Sequence, residues 1–324
     1  MIAVIIPFYQ RQAGLLRRAL LSVYAQAGPQ DWHIHVVDDG SPIPAKQELR
    51  NLPRALIQRI DIHQTINIGP GAARNLALDA LPGHATAVAF LDSDDDWRQQ
   101  HLANIRVALA AGADFYFADH RRQDDSETRF TQCGYRLDGP WLTDSHSHIS
   151  WCDRESLFRA VILRSPIGTS TVAVRRSALG ATRFRSDFRN AGEDSIFWLE
   201  LLRGNIRAAS CVDCEVSYGC GVSIFNHRSW GDARAIRTAL DQMRTHRYVR
   251  ANFPLDATTI NDSEAQFRDL DLTFCTALIA CGRRLQWAAA HPVAAYVSDR
   301  PQALLQMPRA TIQAMRHKLQ RKDA

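Results

Sequence analysis

Residues 87–96 read Ala87-Val88-Ala89-Phe90-Leu91-Asp92-Ser93-Asp94-Asp95-Asp96: five apolar residues run straight into four carboxylates within five positions. A short apolar run bounded by a polar turn reads as a strand buried on both faces. Such strands belong to parallel sheets covered by helices. On those sheets, ligands bind beyond the carboxyl ends of the strands. The acidic run therefore falls where a site is expected, and the rest of the chain can be read outward from it.

Toward the N-terminus, residues 2–7 form a second apolar, β-branched run, and residues 34–37 and 57–62 predict two more strands. Leu15, Leu16, Ala19, Leu20 and Val23 recur at helical spacing and predict an amphipathic helix. Residues 69–81 predict another. Toward the C-terminus, residues 102–110 predict a helix and 114–118 a strand. This alternation predicts right-handed crossovers and an α/β fold with a mostly parallel, Rossmann-like central sheet flanked by helices. Residues 121–165 lose the rhythm and read as polar loops with one short helix over 155–161. Regularity returns with a strand over 171–174, a helix over 193–202, and strands over 206–212 and 216–218. From residue 233 the pattern is helical. The expected division is an α/β domain over 1–228, with halves 1–120 and 121–228, and a helical C-terminal extension over 229–324.

The bulk numbers exclude several classes. The 324 residues are 46% hydrophobic and 23% charged, which suits a large folded domain and argues against disorder. The net charge of +5 rests almost wholly on arginine and is too modest to indicate a nucleic-acid partner. The seven cysteines are odd in number and irregularly spaced, and Met1 leads directly into an apolar run without a basic leader. A reduced, cytoplasmic setting is the expectation. Cys211-x-x-Cys214 lacks a second pair of Cys or His at ligand spacing, so ordinary thiols fit it better than zinc. No apolar run approaches the ~20 residues that cross a bilayer.

Polar clusters follow the predicted strands. Asp92 and Asp94, one residue apart, are placed to converge on a hard cation, Mg2+ or Mn2+, which prefers oxygen ligands and phosphate partners. Taken alone, the same run is what a solvated loop or helix cap would show. Asp39, in Asp38-Asp39-Gly40-Ser41, suits a base N–H or a simple Asp-Gly turn. Arg74 follows the Gly69-Pro70-Gly71 helix entry, where backbone N–H groups favour anions, and it suits a diphosphate or a plain surface position. Asp194 opens a helix, where the dipole favours an ionised carboxylate; it suits a general base or a capping acid.

Together, Pro7-Phe8-Tyr9, Asp38-Asp39-Gly40-Ser41, the stretch 67–75, Asp92-Ser93-Asp94-Asp95 and Glu193-Asp194 resemble the family 2 glycosyltransferases in order and approximate spacing, over about residues 1–225. The resemblance implies the GT-A fold and single-step inverting transfer of a sugar from a UDP-sugar donor to a saccharide or lipid-linked acceptor. It implies that Pro7, Tyr9, Asp39, Gly71, Arg74, Asp92 and Ser93 bind the nucleotide sugar. Asp94, with Asp92, would hold the metal, and Asp194 would deprotonate the acceptor. His227 would complete the metal or diphosphate site, or be an ordinary loop histidine. The family's processive members carry a Q-x-x-R-W motif, which Asn226-His227-Arg228-Ser229-Trp230 does not match, so single-sugar transfer is expected. The segment 219–225 is similar to succinoglycan-type exopolysaccharide glucosyltransferases, which implies UDP-glucose. Ile312, Met315 and Leu319, set among basic residues over 307–322, predict an amphipathic tail that rests on an anionic membrane or is simply solvated.

Rival readings fare worse. A dehydrogenase places G-x-G-x-x-G after the first strand, where this chain has Pro7-Phe8-Tyr9. A sugar-phosphate nucleotidyltransferase needs a basic, Gly-rich loop there. A non-catalytic nucleotide-sugar-binding protein has no need of both the D-x-D pair and Asp194.

Overall fold

The computed structural model describes residues 1–137, 139–142, 148–189, 191–219, 233–283 and 290–312. Two compact units make up the chain: residues 1–189 with 193–222, and residues 190–192 with 223–324.

The first unit is built on one sheet. In chain order its elements are β1 (Ile2–Phe8), α1 (Leu15–Tyr24), β2 (Trp32–Asp38), α2 (Ala45–Glu48), α3 (Arg54–Ile57), β3 (Ile60–Gln64), α4 (Pro70–Asp79), β4 (Ala87–Phe90), β5 (Asp96–Trp97) and α5 (His101–Ala110). There follow β6 (Phe115–Arg122), α6 (Arg129–Cys133), β7 (Ile149–Trp151), α7 (Arg154–Leu163), β8 (Ala173–Arg175), α8 (Arg176–Leu179), α9 (Glu193–Arg203) and β9 (Ala208–Tyr218). The sheet order is β3-β2-β1-β4-β8-β6-β9-β5, with β7 paired to β9. Strands β3, β2, β1 and β4 run parallel, as do β6 and β9, while β8 lies antiparallel between β4 and β6.

The apolar runs become the strands because both sheet faces are covered. Every residue of β4 is buried, and Val4, Ile6, Ile34 and Val36 share one core with Leu16, Ala19, Leu20 and Val23 of α1. The helix stripe and the strand alternation thus meet across one interface. At ~25 cal/mol per Å2 of apolar surface, this burial is the main stabilising term.

Several expectations are corrected. The predicted strand over 57–62 begins only at Ile60, because Pro53 fixes φ for a helical turn, α3, that takes up Ile57. The strand expected over 171–174 starts at Ala173, after a tight 3-10 turn over Thr169–Thr171. The two strands expected after residue 206 are one strand, β9, whose register with β6 shifts at Ala118/Asp119 and Asp119/His120. The stretch 121–165 also holds α6 and β7.

The second unit is helical: α10 (Ala233–Asn252), α11 (Ala257–Arg283) and α12 (Ala290–Asp299), followed by a 3-10 turn over Pro301–Gln306. Its core joins Ile236, Leu240, Met243, Phe267, Phe274 and Tyr296. Asp271 is buried there and accepts hydrogen bonds from Tyr296 Oη (3.0 Å) and Arg300 Nε (2.8 Å). Among the described residues no helix is long and apolar enough to cross a membrane. His227, residues 226–230 and the tail beyond residue 312 lie outside the described residues.

Candidate functional site

The loops at the carboxyl ends of β1, β2 and β4 are stitched together by side chains. The Gln10 backbone N–H donates to Ser41 Oγ (3.0 Å), and Gln10 Nε2 donates to Ser93 Oγ (3.1 Å). Asp38 caps the turn after β2, accepting from the Ser41 N–H (2.9 Å) and the Ala45 N–H (2.8 Å). Its neighbour Asp39 is buried, and its two oxygens accept the N–H groups of Ile68 (2.6 Å) and Gly69 (2.8 Å). Asp39 therefore ties the end of β2 to the entry of α4, and each of its oxygens keeps a lone pair for a further donor. Pro7 and Tyr9 are half-buried at the end of β1 beside this junction, where the Phe8 carbonyl accepts the Asp39 N–H (2.9 Å).

Arg74, on α4, is 3% exposed. Nη2 donates to Asp92 Oδ1 (2.6 Å), Nη1 donates to Glu193 Oε1 (3.2 Å), and the guanidinium lies over the Phe184 ring. Burial works against the charge of Arg74, but Asp92 and Glu193 outweigh it and hold its pKa above the ordinary arginine value. Burial, then the charge of Asp194, pushes Glu193 up to about 7 despite the opposing pull of Arg74. Gly71, one turn earlier, packs against the same pair: a Cβ there would sit 3.3 Å from Glu193 Cγ and from Phe184 Cβ.

The acidic loop after β4 is organised by the 3-10 turn over Thr169–Thr171. Ser170 Oγ accepts the Asp92 N–H (2.9 Å) and donates to Asp95 Oδ2 (2.5 Å). Asp95 is buried and also accepts the Gly219 N–H (3.0 Å). Gly219 has to be glycine, since a Cβ would overlap the Asp94 carbonyl oxygen. Burial, then the charges of Asp94 and Asp92, raises the Asp95 pKa well above the usual carboxylate range. Trp97 Nε1 donates to the Ser170 carbonyl (2.6 Å) and holds the turn from behind. On the same turn, Thr169 Oγ1 donates to Asp194 Oδ2 (3.3 Å), while Asp194 Oδ1 accepts its own helix's Ser195 N–H (2.6 Å). Asp92 and Asp94 are partly exposed and offer hard carboxylate oxygens. That donor set, in a loop crowded enough to perturb Asp95, suits a divalent hard cation.

Asp38 and Asp39, the acidic loop, and Glu193 with Asp194 sit at strand carboxyl ends or at a helix start, in the order of a known family. The family model "Glycosyl transferase family 2" matches residues 3–179. The chain belongs to that family.

The succinoglycan biosynthesis protein ExoW of Rhizobium meliloti (strain 1021) is 32% identical over 243 residues, covering 69% of this chain and 70% of ExoW. Among solved structures, S. aureus TarS 1-349 in complex with UDP-GlcNAc superposes with a TM-score of 0.54 at 18% identity, covering 93% of this chain and 81% of that one. Against a longer TarS chain, this chain spans 43% of the length. The mannosyltransferase PcManGT from Pyrobaculum calidifontis, in complex with GDP-Man and Mn2+, gives 0.54 at 19% identity, with 97% and 83% covered. These likenesses establish the GT-A fold.

In this glycosyltransferase, sequence reasoning missed Gln10, Trp97, Thr169, Ser170, Glu193 and Tyr218. Glu193 lay inside a quoted motif but had no role. Ser170 sits in the polar run Gly168-Thr169-Ser170-Thr171 just before an apolar strand, whereas the acidic loop follows one, so Ser170 lacks the strand-end signal that marked the acidic loop. Tyr218, whose Oη accepts the Ser170 N–H (3.3 Å), is held protonated by burial and then by the charges of Asp95, Asp92 and Asp194.

Proposed function

We propose that the chain transfers one sugar, glucose, from a UDP-sugar to a hydroxyl of a saccharide or lipid-linked acceptor, with inversion, in polysaccharide biosynthesis. The observation that carries this reading is the turn over Thr169–Thr171. Ser170 holds the Asp92-Ser93-Asp94-Asp95 loop, and its neighbour Thr169 holds Asp194. Donor-side carboxylates and a basic carboxylate thus hang from adjacent residues.

In this reading residues 1–120 bind the donor. Asp39 and Tyr9 face the uracil, while Pro7, Gly71 and Ser93 shape the pocket. Arg74 orients Asp92. A divalent Mn2+ or Mg2+ held by Asp94 and Asp92 would neutralise charge on the diphosphate. Residues 121–228 position the acceptor, whose hydroxyl proton passes to Asp194. The acceptor oxygen bonds to the anomeric carbon as the carbon–phosphate-oxygen bond breaks, and the electron pair leaves on UDP. One displacement from the opposite face inverts the centre. His227 would add a ligand at the metal or diphosphate. The basic amphipathic tail over 307–322 would bring the enzyme to the inner face of the cytoplasmic membrane. ExoW and the UDP-GlcNAc complex of TarS support the polysaccharide and UDP readings by likeness.

Calorimetric titration of UDP and GDP, with and without Mn2+, tests the proposal. Tight binding of UDP that requires Mn2+ and is weakened in Asp94→Ala is expected. Equal binding of GDP would refute the UDP assignment, and metal-independent binding would refute the metal site.

A further inference from the structure

Away from the carboxyl-end site, β2 and β3 carry a second group of metal-ligating side chains. His33 and His35 alternate on β2, and Asp61 and His63 alternate on β3, with His35 opposite Asp61 and Val37 opposite His63 in the parallel register. Period-2 alternation puts all four on one face of the sheet. The opposite face carries Ile34 and Val36, which belong to the core under α1. Strand β3 is the last in the sheet order, so the group lies at a sheet edge.

One ligand atom each from His33, His35 and Asp61 lies within 4.8 Å of the others. His33 Nε2 lies 3.0 Å from Asp61 Oδ2. His35 Nδ1 lies 3.9 Å from that same oxygen and 3.3 Å from His63 Nε2. A tetrahedral ion with metal–ligand bonds of ~2.0–2.1 Å has ligand–ligand edges of about 3.3 Å. The separations of 3.0 and 3.9 Å from the shared Asp61 oxygen straddle that edge. Two imidazoles and one carboxylate, with a water in the fourth position, are a borderline-soft set, suited to Zn2+ and its neighbours and unlike the all-oxygen set of the acidic loop. The side chain of His35 is 3% exposed, that of His33 25%, and that of Asp61 58%, so an ion reaches the group from solvent past Asp61.

We propose that His33, His35 and Asp61 form a second metal site that takes one zinc-class ion, distinct from the cation site of the acidic loop. The ion ties edge strand β3 to β2. Strand β3 leads directly into residues 65–69, whose Thr65, Asn67, Ile68 and Gly69 N–H groups bond to Asp38 and Asp39. The site is therefore a clamp behind the nucleotide-binding loop, and its ligands take no part in the chemistry.

The test is titration of the chelator-stripped full chain with Co2+ and Zn2+ alone, read by visible absorption and calorimetry. Uptake of one Co2+ with the strong visible bands of tetrahedral coordination, and no sulfur charge-transfer band, is expected. His33→Ala and Asp61→Asn change half-exposed side chains and keep the fold, which circular dichroism checks. Each should weaken binding by about tenfold or more, and Asp94→Ala should leave it unchanged. No uptake, the weak spectrum of six-coordinate cobalt, a thiolate band, affinity insensitive to His33→Ala and Asp61→Asn, or loss of the ion in Asp94→Ala would each overturn the proposal.

Discussion

Replacing Arg74 by methionine should destabilise the first unit by about 3–4 kcal/mol, the sum of two charge-assisted hydrogen bonds lost from a buried site. Methionine keeps an apolar stem of similar length and removes the guanidinium, together with its contact over the Phe184 ring. Asp92 then loses its bond at 2.6 Å, but its side chain is 31% exposed and water recovers part of the loss, leaving about 1.5 kcal/mol. Glu193 is buried and loses its bond at 3.2 Å, which costs about 2 kcal/mol. The loss at Glu193 is capped because its pKa is already held up to about 7 with Arg74 present, so at neutral pH the carboxyl takes up a proton instead of staying charged and alone. Urea unfolding followed by tryptophan fluorescence measures the change, since Trp32, Trp97 and Trp198 are buried in this unit. A double-mutant cycle with Glu193→Gln should show a coupling of about 1.5–2 kcal/mol between the two positions. A loss below ~1 kcal/mol, or zero coupling, would refute the view that Arg74 is an electrostatic organiser of Asp92 and Glu193.

Ser170→Ala should cost about 2–4 kcal/mol in the same urea assay, because it strips a hydrogen bond from the buried Asp95 and leaves the Asp92 N–H without its partner; a change under ~1 kcal/mol would show that the turn does not organise the acidic loop. Asp194→Asn should keep UDP affinity and abolish transfer, a fall of about 1000-fold or more by the general-base and positioning terms together; retained turnover would remove Asp194 from the base role. Burial, then the charges of Arg129 and Arg122, lowers His120 to about 3, so it is neutral when folded and charges only on unfolding below its ordinary 6.5. The unfolded chain then binds the extra proton, and His120 withdraws about 2 kcal/mol of stability between pH 7.5 and 5. The difference between wild type and His120→Gln should show that slope, and parallel pH profiles would refute it.

The contrast between what was legible and what was not follows the range of the interactions. Local periodicity determined β1, β2, β4, α1, α4 and α9, because a buried strand or an amphipathic helix writes its pattern into adjacent residues. The acidic loop and Asp194 were legible for a related reason: each directly follows a strand or opens a helix. The sequence could not show that Arg74 reaches Asp92 and Glu193 rather than solvent, since Glu193 is 119 positions away. Nor could it show that Ser170 organises Asp92 and Asp95 across more than 70 residues. The antiparallel insertion of β8 between β4 and β6 decided the second, by bringing the turn over Thr169–Thr171 against the end of β4, and the packing of the start of α9 beside α4 decided the first. Strand β8 is three residues long and carries almost no pattern of its own. Its place is set by burial against neighbours on both sides, and that free energy exists only once the sheet is assembled.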